Sequence, residues 1–258
     1  MNLRADIQQR LQSKPILLMT HLVLGYPSLE VNRRVIRQMA QNGVDCIELQ
    51  IPFSEPMADG PVIVRANQEA LRSGIKVEDC FSFAAEMIRE FHRVNFLFMT
   101  YYNIIFRYGE EAFIRRSAEI GIRGFIVPDL PPEEGETYLQ LCRQHETTPI
   151  MFFSPTSTDE RMRDVAARGD GFVYCVARKG VTGRRTEMDD TIAGYLSRCR
   201  AATGLPLAVG FGISSRQDIT MLEGHADMAV IGTATIRLVD EQGPEAVGSF
   251  IASLMDAG

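Results

Sequence analysis

Short apolar, β-branched runs alternate along the chain with longer segments that keep one polar face, which is the pattern of parallel strands joined by crossover helices. Eight runs predict strands: Ile16 to Val23, Val44 to Ile51, Phe96 to Tyr101, Gly124 to Val127, Pro149 to Phe153, Gly171 to Val176, Leu205 to Gly210 and Met228 to Ile231. Between them, helices are expected where a capping residue opens an amphipathic stretch: Ser28 before Leu29 to Gln41, Asp129 and Pro131 before Glu133 to His145, Thr158 before Asp159 to Arg168, and Ser214 before Ser215 to Glu223. Gly43 and Gly224 fit helix C-caps. Eight strands favour closure, so the expected fold class is α/β, a (β/α)8 TIM barrel with an extra N-terminal helix, Leu3 to Leu11, and an insertion after strand 2, Pro61 to Gly74. A doubly wound open sheet is the runner-up, but no GxGxxG or GxxxxGKS/T motif follows a strand. At 258 residues the expectation is one domain spanning 1–258.

Composition narrows the partners. The apolar share of 45% and charged share of 23% suit a globular protein, and a net charge of −6 with scattered basic residues offers no stripe for nucleic acid. No apolar run approaches the roughly 20 residues that cross a bilayer, and the first residues lack the apolar core of a signal peptide. A cytoplasmic protein with no membrane partner is therefore expected. Five widely spread cysteines, with no CxxC pair and no histidine in ligand spacing, read as reduced thiols and supply no metal site.

In a barrel, chemistry belongs to residues that end a strand or open the loop after it. Glu48 is a carboxylate near the end of an apolar strand, either a structural ion-pair member or an acid or base of the site. Asp59 lies in the Pro-punctuated loop that follows, which has room to move, and before Gly60 it reads alone as an ordinary turn residue; what favours chemistry is that both acids leave one strand toward one mouth and so can divide proton transfer from charge stabilisation. The turns Gly210 to Ser215 and Gly232 to Thr235, after strands seven and eight, carry glycines that let backbone N–H groups approach a phosphate. Arg178 to Thr186 reads as a glycine-hinged loop over an anionic ligand or an ordinary surface loop, and Phe98 to Asn103 offers aromatics that line a pocket or pack the rim.

Together these segments resemble the tryptophan synthase α subunit family, in register over nearly the whole chain. Ile47 to Pro61 is similar to the family's ELGIPFSDPLADGP, Arg178 to Gly183 to its RxGVTG loop, and Gly210 to Ser214 to GFGIS, with Leu24 to Pro27 and Val127 to Pro131 also matching. The resemblance implies retro-aldol cleavage of indole-3-glycerol phosphate to indole and glyceraldehyde 3-phosphate, a carbon–carbon lyase step of tryptophan biosynthesis. It implies Glu48 as the proton carrier and Asp59 as the ionised carboxylate at the ring N–H. It further implies Tyr174 supporting the reacting end and Thr182 meeting Asp59 on loop closure. Gly183, Phe211, Gly212, Gly232 and Thr233 would hold the phosphate, and Tyr101, Val127, Phe153 and Phe211 would face the ligand or its immediate shell. No cofactor is implied on this chain: pyridoxal phosphate would belong to a β subunit in an α2β2 complex.

Departures from the family pattern cluster at the mouth. Gln50 stands for a usual Gly, His21 for Phe, Val23 for Thr, Val64 for Gln, Thr233 for Ser and Glu55 for Asp. His21, Gln50 and Val64 are therefore possible specificity-altering positions. A stand-alone indole-releasing lyase, or a non-catalytic relative that binds a phosphorylated ligand and regulates a partner, are the alternatives.

Overall fold

The computed structural model describes residues 2–176, 190–210 and 212–255, and all eight expected strands occur within them. They are β1 (Leu17–Val23), β2 (Cys46–Gln50), β3 (Asn95–Met99), β4 (Gly124–Ile126), β5 (Thr148–Phe153), β6 (Val173–Val176), β7 (Leu207–Gly210) and β8 (Met228–Ile231). Every neighbouring pair is parallel, and β8 returns to pair with β1, so the sheet is a closed barrel in sequence order. Both faces of each strand are covered, which is why the runs are apolar throughout rather than alternating. Of the four strands that start later than expected, β6 and β7 do so for local reasons. Gly171 is left-handed at φ +72°, and Pro206 has no N–H for the ladder, offering only its carbonyl to Val173 N at 2.8 Å.

Helices follow the strands: α1 (Leu3–Arg10), α2 (Leu29–Gln41), α3 (Pro61–Arg72), α4 (Val77–Glu90), α5 (Tyr102–Tyr108), α6 (Glu110–Ile120), α7 (Glu136–Gln144), α8 (Asp159–Ala166), α9 (Asp190–Ala202), α10 (Arg216–Leu222), α11 (Thr233–Gln242) and α12 (Ala246–Met255). Ser28 caps α2 by accepting from Val31 N, and Thr158 caps α8 by accepting from Arg161 N. Gly43 and Gly224, just past α2 and α10, are left-handed as expected.

Two helix starts differ from expectation. α7 opens at Glu136 rather than Glu133: residues 132–134 form a turn instead, with Glu134 N donating to the Pro131 carbonyl at 3.0 Å, and Glu133 pairs with Arg161 of α8. Asp129 is not its cap; that carboxylate accepts from Tyr102 N at 2.9 Å, at the start of α5. α10 is capped by Ser215, not Ser214, in a capping box with Asp218.

Strand alternation divides the apolar residues into two layers. One faces the helices and includes Ile47, Leu49, Phe98, Phe125 and Val209; the other fills the barrel with Leu17, Met19, Cys46, Leu97, Met99, Ile126, Ile150, Ala208, Met228 and Val230. Leu3 and Ile7 of α1 join the inner layer and close the lower mouth, at the N-terminal ends of the strands. A polar network fastens this plug: Asp6 accepts from Asn95 at 2.5 Å, Arg10 bonds Asp6 at 2.7 Å and Asp45 at 3.3 Å, Lys14 reaches Asp45 at 2.7 Å, and Leu18 N donates to Asp45 at 3.1 Å. The expected extra helix is a structural stopper.

Candidate active site

The upper mouth gathers the two expected carboxylates. Glu48 is the middle inward residue of β2, 4% exposed, and the β1–β2 register sets His21 directly beside it. His21 Nδ1 lies 3.1 Å from Glu48 Oε1. Burial opposes charging of this imidazole, but the Glu48 carboxylate and then Asp59 outweigh it, and its pKa is held above the usual histidine value. Among the described residues, His21 Nε2, Glu48 Oε2 and Gln50 Oε1 are buried without a hydrogen-bond partner.

Asp59, in the Pro-punctuated loop after β2, is packed onto the barrel. It is 8% exposed and its Oδ2 accepts from both Gln50 Nε2 at 2.7 Å and Tyr101 OH at 3.1 Å. Tyr101 OH in turn accepts from Ala58 N at 3.1 Å, Phe53 stacks on the Tyr101 ring at 5.0 Å, and Asn67 of α3 accepts from Phe53 N. Each contact draws the loop onto the barrel. Burial raises the Asp59 pKa, opposed by His21, Gln50 and Tyr101. The Tyr101 and Tyr174 phenols are pushed up, first by burial and then by these carboxylates, so both are neutral donors.

Gln50, an expected specificity position, spends its amide N–H on Asp59. Tyr174 points inward from β6 and approaches Gly210: a Cβ there would stand 3.1 Å from its hydroxyl, so glycine leaves room for the phenol. Phe152 packs against Tyr174 with centroids 5.5 Å apart. Val64 is half-buried on α3 and Glu55 is exposed in the loop after β2.

Two residues expected at the ligand or in its immediate shell do not face the barrel interior. Val127 and Phe153 pack in the outer layer against the helices, whereas Ile126 and Phe152 belong to the inner one. The two-residue period of a strand makes a one-residue misplacement a change of face. Val127 and Phe153 border instead a groove of about 300 Å³ between the β4–α7 and β5–α8 connections, which neither Glu48 nor Asp59 lines.

At the phosphate corner, Gly212 is left-handed at φ +75°, and Gly232 is the N-cap of α11, whose first residue is Thr233. The positive end of α11 therefore lies at Gly232 and Thr233, two of the residues expected to hold the phosphate. The start of α10 is already used: Ser214 N and Ser215 N both donate to Asp218 at 2.9 Å. Sequence reasoning missed Thr235, whose buried Oγ1 is unpartnered among the described residues in the first turn of α11. Its signal was a hydroxyl two residues past the glycine turn. Thr182, Gly183, Phe211 and the Arg178–Thr186 loop lie outside the described residues. The five cysteines are free and buried, and no group of three or more potential metal ligands occurs among the described residues.

The family model described as tryptophan synthase alpha chain matches residues 7–253. The chain belongs to that family. The tryptophan synthase alpha chain of Desulfotalea psychrophila is 60% identical over 254 residues, covering 98% of this chain and 100% of the relative. That of Desulforapulum autotrophicum is 56% identical over 252 residues, with 98% and 99% covered. Among solved structures, a chain of the Mycobacterium tuberculosis tryptophan synthase superposes with a TM-score of 0.90 at 30% identity, covering 99% of this chain and 98% of that one. A structure from Aquifex aeolicus VF5 gives 0.91 at 34%, with the same coverage. As a tryptophan synthase alpha-family barrel, the chain keeps both mouth carboxylates while surrounding them with His21 and Gln50.

Proposed function

We propose that this chain is a carbon–carbon lyase that cleaves indole-3-glycerol phosphate to indole and glyceraldehyde 3-phosphate, as the α subunit of tryptophan synthase. The observation that carries the reading is the pair of buried carboxylates above β2, each held by different partners. Ring carbon C3 takes a proton from Glu48, which places positive charge on the indole. The bond to the glycerol carbon then breaks, its electron pair returns to the ring, and the adjacent hydroxyl gives its proton back to Glu48. Asp59 accepts from the ring N–H and stabilises the transient cation. Its bonds from Gln50 and Tyr101 fix it in place beforehand, so no reorientation is needed during reaction.

Ile126, Phe152, Tyr101 and Tyr174 form the wall against the ring, and Gln50 acts on the ligand through Asp59 rather than by direct intrusion. Gly212, Gly232 and Thr233 receive the phosphate, with Gly183 and Phe211 assigned by sequence and Thr182 assigned to meet Asp59. A β subunit carrying pyridoxal phosphate is the partner; a structure of the tryptophan synthase complex from Pyrococcus furiosus matches this chain at a TM-score of 0.83 and 28% identity. Glu55, with Met57 at 82% exposure and Phe106 at 65%, supplies side chains on the upper face for that contact. No helix of the described residues is long and apolar enough to cross a membrane, consistent with a cytoplasmic assignment.

Purified protein is expected to release indole from indole-3-glycerol phosphate, faster with β subunit present. Ligand protection against unfolding with no indole formed, even with saturating β subunit, overturns the reading in favour of a non-catalytic binder.

A further inference from the structure

Glu48 does not stand alone at the mouth, although the chemistry assigned to it needs only one carboxyl group. His21 projects into the barrel from the neighbouring strand, is 4% exposed, and touches Oε1 of Glu48 while Oε2 is left without a partner among the described residues. A phenylalanine, which the family pattern expects at this position, packs against a ring but cannot hold a carboxylate. Two oxygens with unequal surroundings give Glu48 a fixed end and a working end.

We propose that His21 is a positioning residue acting through Glu48: it anchors Oε1, directs Oε2 to the reacting atoms, and lets the pair retain the one proton the reaction borrows. This rests on the reading of Glu48 as the proton carrier. The proton passes from Oε2 to ring C3, the C–C electron pair returns to the ring as the bond breaks, and the hydroxyl proton restores Glu48. His21 ends the cycle as it began.

The surroundings of His21 support retention of that proton. β2 presents Glu48 and the neutral Gln50, the loop after β2 presents Asp59, and β3 and β6 present the neutral phenols Tyr101 and Tyr174. Gly232, just past β8, adds no side chain here: a Cβ built on it would stand 3.9 Å from the His21 Cβ. On the helices beyond β1, Arg65 of α3 and Asp240 of α11 pair with each other around Tyr26. No described cation among these groups competes with His21 for the two carboxylates, so the imidazole keeps its proton to higher pH than a free histidine.

The test uses the full chain with β subunit and compares His21→Phe, His21→Asn and Glu48→Gln. His21→Phe is expected to lower kcat about tenfold with KM within about threefold, and to make activity fall off at lower pH on the alkaline side. His21→Asn keeps a donor near Nδ1 without a titrating ring, so it restores most of kcat on the acid side but retains the shifted alkaline limb. Imidazole NMR, tractable with four histidines, should show one ring titrating above the usual value in the wild type and losing that shift in Glu48→Gln. Unchanged kcat and pH profile in His21→Phe, or a His21 ring indifferent to Glu48→Gln, overturns the proposal. If His21→Phe fails to fold, His21→Asn and the NMR titration decide alone. Retained turnover in Glu48→Gln overturns the underlying assignment instead, a result separable from failure at His21.

Discussion

The two mouths of the barrel bury similar sets of polar side chains and treat them differently. At the lower mouth Asp45 receives Arg10 and Lys14 on Oδ1 and the Leu18 amide on Oδ2, while Asp6 receives Arg10 and Asn95. At the upper mouth Glu48 Oε2, His21 Nε2 and Gln50 Oε1 are buried and lack partners among the described residues. A buried polar group without a partner costs about 1–3 kcal/mol, so the fold tolerates at one end what it avoids at the other. A saturated network holds structure together; an unsaturated one keeps hydrogen-bonding capacity for a ligand.

The contrast predicts opposite outcomes from similar substitutions. Glu48→Gln should reduce kcat about 1,000-fold with little change in Tm, measured by indole release and thermal unfolding. Asp59→Asn should reduce kcat about 100-fold. Because its folded pKa lies above 3.8, the fold binds the Asp59 proton more tightly than the unfolded chain, and stability falls as pH rises through that window. Asp59→Asn should therefore stabilise at neutral pH, by about 1 kcal/mol in urea titration; destabilisation there would break the comparison.

At the lower mouth, Asp45→Ala should cost about 3 kcal/mol, since it strands Arg10, Lys14 and the Leu18 amide, with kcat per folded molecule unchanged. Gly210→Ala should press the Tyr174 hydroxyl and lower kcat/KM about tenfold with a small Tm change. The smallest effect concerns acid. Asp6 has a lowered pKa: burial opposes this, but Arg10 and Asn95 prevail, so its contribution is present above 3.8 and is lost as pH falls through the folded value. Asp6→Asn should flatten the loss of stability below pH 3.8.

The strands were legible because a parallel barrel buries both faces and leaves apolar runs that few other structures require. Glu48 and Asp59 stood out only as a pair leaving one strand toward one mouth, since alone the first reads equally as a structural ion-pair member and the second as a turn residue before Gly60. Val127 and Phe153 were misplaced because which face a short strand presents depends on register, and β4 has only three residues to reveal its period. The packing of Asp59 onto the barrel was hidden because one of its donors, Tyr101, lies beyond β3 and far from it in sequence. The His21–Glu48 contact likewise required the β1–β2 pairing, which no motif within either strand encodes.

Closure of the barrel carries a temporal consequence. Leu17 at the start of β1 pairs in register with Met228 of β8, and Met228 packs in the same inner layer as Leu3 and Ile7 of the stopper helix. During synthesis, the helix that seals the lower mouth emerges before β8 and must wait for that strand before its seat exists. Until then Leu3 and Ile7 remain without their full apolar cover, so the slow, long-range β1–β8 pairing sets how long the nascent chain is vulnerable to aggregation.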